Sequence, residues 1–286
     1  MPRVLIAGCG YLGRALAGVL AAEHWEVEGW TMSAESAEKL SGTGHRSQHV
    51  DISNLEHVAA HKSDFDAVVH CASTRGGDVD LYRRVYLNGA RNLVEHFGNA
   101  RFLFVSSTSV YAQANGEWVT EESVAQPKPE TGEILREAEH LVLAKNGTVV
   151  RLGGIYGPGR SALLKKFLSR QAILDPENDR FVNAIHRDDA ATAMSILLKS
   201  PVAAGQIYNV VDDEPILLSE CYCSLARALN RPLPPAGKST SKRKRGESNK
   251  RVGNAKLRSI GWVPQFPNFA AGMKKSVLPA FARENV

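Results

Sequence analysis

The stretch Arg3-Val4-Leu5-Ile6-Ala7-Gly8-Cys9-Gly10-Tyr11-Leu12-Gly13 decides the fold. Its first half is a short apolar run that ends in glycine, the pattern of a strand buried on both faces. Gly8, Gly10 and Gly13 then stand in G-x-G-x-x-G spacing. Residues 11–23 follow with helical periodicity, with Leu12, Leu16, Val19 and Leu20 on one face. Strand, glycine loop and helix in that order suit a dinucleotide pyrophosphate. The first Gly makes the tight turn, the second lets the phosphates approach the backbone, and the third lets helix pack on strand. The helix N-terminus adds free N–H groups and partial positive charge. On this reading Gly8, Gly10, Tyr11, Leu12 and Gly13 hold the cofactor.

Outward from this stretch, strands and helices alternate. Residues 25–30, 46–50, 67–71, 101–106 and 148–151 read as further strands, and 33–40, 79–97 and 131–145 as helices. Six strands separated by helices predict right-handed βαβ units and one parallel sheet. The fold class is therefore α/β: a doubly wound, Rossmann-type parallel sheet with a smaller C-terminal α/β region. The expected domains are 1–151 for the dinucleotide, including the helix at 131–145, and 152–286 for the substrate, with 183–211 adding to the first domain.

Composition agrees with a globular protein: of 286 residues, 43% are hydrophobic and 23% charged. The four cysteines, Cys9, Cys71, Cys221 and Cys223, form neither a disulfide framework nor a CxxC zinc pair. They fit a reducing, cytoplasmic setting. No apolar run reaches the length of a membrane span, and no leader is read before the first strand. The formal net charge is +5. Its source is one segment, which holds Lys238, Lys242, Arg243, Lys244, Arg245, Lys250 and Arg251 against the single acid Glu247. A protein that coats DNA spreads its charge over a face, and this run has no aromatic on which a base could stack. Nucleic acid is thus disfavoured. A solvated excursion or a clamp for a phosphorylated substrate remains.

The end of the second strand bears on the choice of cofactor. An acid there would hold the ribose 2′-hydroxyl of NAD. The chain instead reads Trp30-Thr31-Met32-Ser33, with Glu35 further on. A 2′-phosphate would not be repelled, and Ser33 is placed to donate to it. No Arg is read nearby. The expectation is NADP ahead of NAD, with Thr31 and Ser33 at the ribose.

Further motifs resemble the short-chain dehydrogenase/reductase superfamily, more narrowly the extended NAD(P)-dependent epimerase/dehydratase type. Asp51-Ile52 matches the pair that contacts adenine, and Cys71-Ala72-Ser73 the segment that lines the cofactor. Asn88-Gly89-Ala90-Arg91-Asn92-Leu93, Ser106-Ser107-Thr108-Ser109-Val110-Tyr111, Ile155-Tyr156-Gly157-Pro158-Gly159, Ile185-His186-Arg187-Asp188-Asp189 and Tyr208-Asn209-Val210 match later signatures in order. The resemblance implies hydride transfer on a sugar or nucleotide-sugar substrate. It places Ser106 and Tyr156 at the cofactor, and it implies a homodimer through the helices at 79–97 and 131–145.

One departure is central. Family catalysis uses Tyr and Lys in Y-x-x-x-K, and here Thr131 falls at the Tyr position and Leu135 at the Lys position. The chain resembles the atypical members with a degenerate motif. Candidate catalytic residues are Ser107, at the family serine; Tyr111 as a replacement acid; Thr131 as a substrate contact; and His186 as a general acid or a structural residue. Glu121 and Glu122 read as loop acids. The histidine pairs His45/His49 and His57/His61 lack the carboxylate of a metal site, so no metal is expected. An inactive NADP(H)-binding sensor or scaffold is the alternative reading.

Overall fold

The computed structural model describes residues 1–41, 46–74, 76–238 and 248–284. They divide into two units. The first comprises Met1–Val110, Ala125–Arg151 and Ala191–Tyr208; the second comprises Tyr111–Val124, Leu152–Ala190 and Asn209–Val286. Of the segment 183–211 read as adding to the first domain, Ala191–Tyr208 lies in the first unit, and Tyr111–Val124, read as part of the first domain, belongs to the second.

The main sheet has seven strands: β1 (Arg3–Ala7), β2 (Glu26–Thr31), β3 (Arg46–His49), β4 (Ala67–His70), β5 (Arg101–Ser107), β6 (Thr148–Leu152) and β7 (Ile207–Val210). Their order is 7-6-5-4-1-2-3. The sheet is parallel and Rossmann-type. It exceeds the six strands expected by one, β7. Register sets the strand ends: Ala7 is level with Trp30 and with His70, and His70 with Phe104. The loops leaving β1, β2, β4 and β5 therefore share one edge. The strand order reverses between β1 and β4, where such sheets open a crevice.

Burial explains the sequence pattern. Val4 to Ala7 in β1 and all of β4 are buried, as expected of strands covered on both faces. The helix Tyr11–Ala22 is rich in Ala and Leu, strong helix formers, and turns Leu12, Leu16, Ala17 and Leu20 inward. The helix over 79–96 is α-helical at Val79–Tyr82 and Gly89–His96, with a π-helical stretch Arg83–Asn88 between. Asp78 caps its start by accepting the Leu81 N–H at 2.9 Å. Its outward face and that of the helix Glu130–Ala144 carry Arg84, Arg91, Glu133 and Glu137, all exposed, so this face is charged rather than apolar.

One ionic cluster ties three elements of the first unit together. Glu139, fully buried, accepts from Arg151 Nε at 3.0 Å and from a terminal Arg151 nitrogen at 2.7 Å. It also accepts from Arg136 and, at 2.6 Å, from the Ser106 hydroxyl. The helix Glu130–Ala144 is thereby fastened to β5 and β6.

The second unit has its own core, which includes Tyr156, Leu164, Phe167, Tyr222, Leu225, Phe269 and Met273. Asp189 organises one end of it, accepting the Gln265 and Phe266 N–H groups at 2.7 and 3.0 Å. The short strand Arg251–Val252 pairs in parallel with Trp118–Val119. Asn183 brackets it, donating to Lys250 O at 3.0 Å and accepting the Val252 N–H at 2.7 Å.

This corrects the reading of the basic run. Residues 239–247 lie outside the described residues, but Lys250 is only 5% exposed. Its Nζ donates to Tyr111 O at 2.8 Å and to Ser248 Oγ at 2.9 Å. Burial, helped by the charge of Arg180, lowers its pKa to about 8. Arg251 lies over the rings of Trp118 and Phe181, and its Nε donates to Gly116 O at 2.7 Å. Neither is a solvated loop charge.

Two outcomes follow. Glu139→Gln leaves two guanidinium groups facing a neutral amide and should cost about 3–5 kcal/mol in urea unfolding. Asp212 concerns pH. Neither of its buried carboxyl oxygens makes a regular hydrogen bond, with only the Glu214 N–H favouring ionisation. Burial raises its pKa well above the usual range, and the charges of Asp213, Glu214 and Asp189 add to this. The folded state thus holds the proton more tightly than the unfolded chain. This stabilisation is full below the ordinary carboxylate pKa and is lost as pH rises through the folded-state value. Thermal scans should show Asp212→Asn melting above the parent at pH 8, with the gap closing towards pH 4.

Candidate dinucleotide and catalytic site

The glycine loop is shaped by contacts rather than by side chains. Gly8 has a positive φ of 93°, and a Cβ there would overlap the backbone of Ala72 and come within 2.7 Å of Cys71 C. A Cβ on Gly13 would meet Gly8 O at 2.8 Å. Gly10 differs: its Cβ position meets only Gly8 O, at 3.9 Å. Two glycines are therefore demanded by the fold, and the third faces open space, as a close approach by phosphate requires. The Gly8 and Cys9 N–H groups both donate to Trp30 O at 2.9 Å, pinning the loop to the end of β2. No side chain caps the N-terminus of the helix Tyr11–Ala22. The cradle fits a dinucleotide pyrophosphate.

The flanking segments are held just as closely. Cys71 N donates to Ala7 O at 2.7 Å, so the strip Cys71-Ala72-Ser73 leaves β4 directly beside the loop. Burial pushes the thiols of Cys9 and Cys71 up to about 12, which leaves both protonated. Asp51 accepts both the N–H and the hydroxyl of Ser53, at 2.9 and 2.7 Å. Ile52 O takes the side-chain amide of buried Asn92 at 3.0 Å. His70 is fully buried, with Nε2 3.0 Å from Val85 O in the π-helical stretch. Burial brings its pKa down to about 4, so it is neutral.

Of the ribose candidates, Thr31 donates to Ser33 O at 3.0 Å, and the Ser33 hydroxyl donates to Ser36 Oγ at 2.8 Å. Both are turned onto their own segment, a correction to the expectation that Ser33 is placed to donate to a 2′-phosphate. The Ser106 hydroxyl donates to Glu139. Ser107, at the end of β5, is half-buried and accepts the Ser109 N–H at 3.2 Å. Its own proton stays available. Thr131 is half-buried in the first turn of the helix Glu130–Ala144, and Leu135 is buried.

In the second unit, three candidates have their polar atoms engaged by other residues. Tyr111 is fully buried and donates to Asn209 Oδ1 at 2.9 Å. Tyr156 sits in the core, with its hydroxyl donating to Asn268 O at 3.3 Å. Burial raises its pKa, with Asp212 and Asp189 adding. His186 is fully buried; its Nδ1 accepts the Asp188 N–H at 3.2 Å, so the proton sits on Nε2, 3.0 Å from Ser276 Oγ. Burial lowers its pKa to about 4, and it carries no charge at neutral pH. Glu121 accepts the Asn209 N–H at 2.7 Å and is not a free loop acid. Among the described residues no metal-holding cluster occurs, and no helix is long and apolar enough to cross a membrane.

Sheet order, glycine cradle and uncapped helix define a Rossmann-type dinucleotide-binding protein. The model of the NAD-dependent epimerase/dehydratase family matches residues 4–210. The chain belongs to that family, whose cofactor is NAD(P). It is 30% identical over 242 residues to Protein YeeZ of Escherichia coli K12, covering 80% of this chain and 84% of that one. It is 29% identical over 195 residues to the UDP-glucose 4-epimerase of Vibrio cholerae, covering 58% of this chain and 57% of that one. A Methylobacillus flagellatus structure, given as an NAD-dependent epimerase/dehydratase, superposes with a TM-score of 0.78 at 28% identity, covering 100% of this chain and 99% of that chain.

The two kinds of glycine separate in a test. Gly10→Val should keep a melting temperature close to the parent's yet lose NAD(P)H binding, followed by nicotinamide fluorescence. Gly8→Val should lower the melting temperature itself, because its Cβ strikes backbone at a positive φ.

Proposed function

We propose that the chain is an NAD(P)-dependent oxidoreductase or epimerase that acts by hydride transfer on a sugar, nucleotide-linked as in the Vibrio cholerae relative. The observation that carries this reading is Ser107: a half-buried hydroxyl at the end of a central strand, with its oxygen engaged by Ser109 N–H and its proton free to give. NAD(P), when bound, supplies the carbon that accepts or delivers hydride. Ser107 donates to the reacting oxygen and polarises it. Thr131 offers a second hydrogen bond to the substrate. It does not replace a tyrosine, because a Thr hydroxyl stays protonated through the neutral range. The second unit is the substrate's carrier.

A second reading, a dinucleotide-binding sensor or scaffold without turnover, is favoured by one observation: Leu135, at the lysine position, is buried and apolar. Cofactor reduction across a panel of sugars and nucleotide sugars separates the two. On the enzyme reading, Ser107→Ala lowers turnover by about 10²–10³-fold, while NAD(P)H affinity holds. A parent protein that binds NAD(P)H but turns over none of the panel sinks the enzyme reading and leaves the sensor.

A further inference from the structure

The dinucleotide site contains a cation that nothing described so far employs. Arg14 is exposed in the first turn of the helix Tyr11–Ala22, and its N–H donates to Gly10 O at 2.9 Å. Its guanidinium has no hydrogen-bond or ion-pair partner among the described residues. Three contacts place this turn at the end of β2. The Gly8 and Cys9 N–H groups donate to Trp30 O, and a Cβ on Gly29 would meet Cys9 Cβ at 2.9 Å and Sγ at 3.0 Å. The Arg14 charge also acts on the Cys9 thiol. The turn that carries Arg14 therefore adjoins the strand end where the adenosine ribose of a dinucleotide lies.

We infer that Arg14 selects NADP(H) over NAD(H) by pairing with the ribose 2′-phosphate. The surroundings agree. No carboxylate stands at Thr31-Met32-Ser33 to hold a 2′-hydroxyl or repel a phosphate. The nearest acid on the following helix, Glu35, is neutralised by Lys39 at 2.6 Å. Glu28, further back on β2, is engaged by Trp30 Nε1 at 2.8 Å. The hydroxyls of Thr31 and Ser33 are spent locally. That leaves the planar fork of Arg14, whose geometry matches phosphate oxygens.

The inference rests on the dinucleotide site and not on the catalytic role given to Ser107. Calorimetric titration of the full chain with NADP⁺ and NAD⁺ tests it without turnover. The parent should bind NADP⁺ about tenfold or more tightly than NAD⁺ at low salt, as expected of a charge-assisted pair. That margin should shrink as salt is added. Arg14→Ala should weaken NADP⁺ alone and bring the ratio near one, and Arg14→Lys should restore part of it. Both variants should melt with the parent, since the side chain is exposed. A parent that prefers NAD⁺ or shows no preference overturns the inference. So does an Arg14→Ala variant that weakens both cofactors equally. A parent that binds neither overturns the dinucleotide site and the inference with it.

Discussion

The carboxylate of Glu139 is the constraint on which the first unit turns. Fully buried, it must be met by positive charge, and Arg151 from β6 and Arg136 from its own helix meet it. The remaining acceptor capacity is taken by Ser106. Because Ser106 and Ser107 are adjacent on an extended strand, they point to opposite sides. Fixing one hydroxyl inward therefore aims the other away from the cluster. The same helix carries Thr131 and Leu135, so one buried charge fixes the placement of three positions singled out in the sequence.

Much of this was legible in the chain. Strand β1, the glycine loop and its helix are local features, governed by periodicity and by what only glycine tolerates, and they sit where the sequence places them. The alternation through β6 is equally plain, because helices and strands differ in period. What the sequence hid was set by distance along the chain. Lys250 looks like one more charge of a basic run, and only its placement under Tyr111 makes it a buried amine. Arg14 lies 17 residues before Thr31 in sequence, so a search for a cation after the second strand passes over it. Tyr111, Tyr156 and His186 match motif positions, yet their polar atoms are bound to Asn209, Asn268 and Ser276, partners 90 to 112 residues away in sequence. Motif spacing reports where a residue stands on the backbone, not whether its polar atom is already engaged.

The site accordingly divides into a part that is kept and a part that has changed. The glycine loop and its flanks are mechanically enforced: Gly8 against Ala72, Cys71 on Ala7, Ile52 on Asn92. At the positions that resemble the superfamily's Tyr and Lys stand Thr131 and the buried, apolar Leu135. A cofactor pocket is built largely from backbone, which many sequences can supply, whereas proton transfer depends on individual side chains. Loss of the second therefore leaves the first intact.

The π-helical stretch Arg83–Asn88 has a consequence for how this chain should be compared with its relatives. A π-turn is one residue wider than an α-turn, and a short one behaves as a single-residue insertion absorbed within a helix. Past that point every side chain is rotated relative to an uninterrupted helix. Gly89 is brought against Ile52 and His70, where a Cβ would meet Ile52 Cδ1 at 2.8 Å. Tyr86 and Leu87 within the stretch are buried, so the widened turn is part of the packed core. Superposition in space, not column position, is the sound basis for naming equivalents on this element.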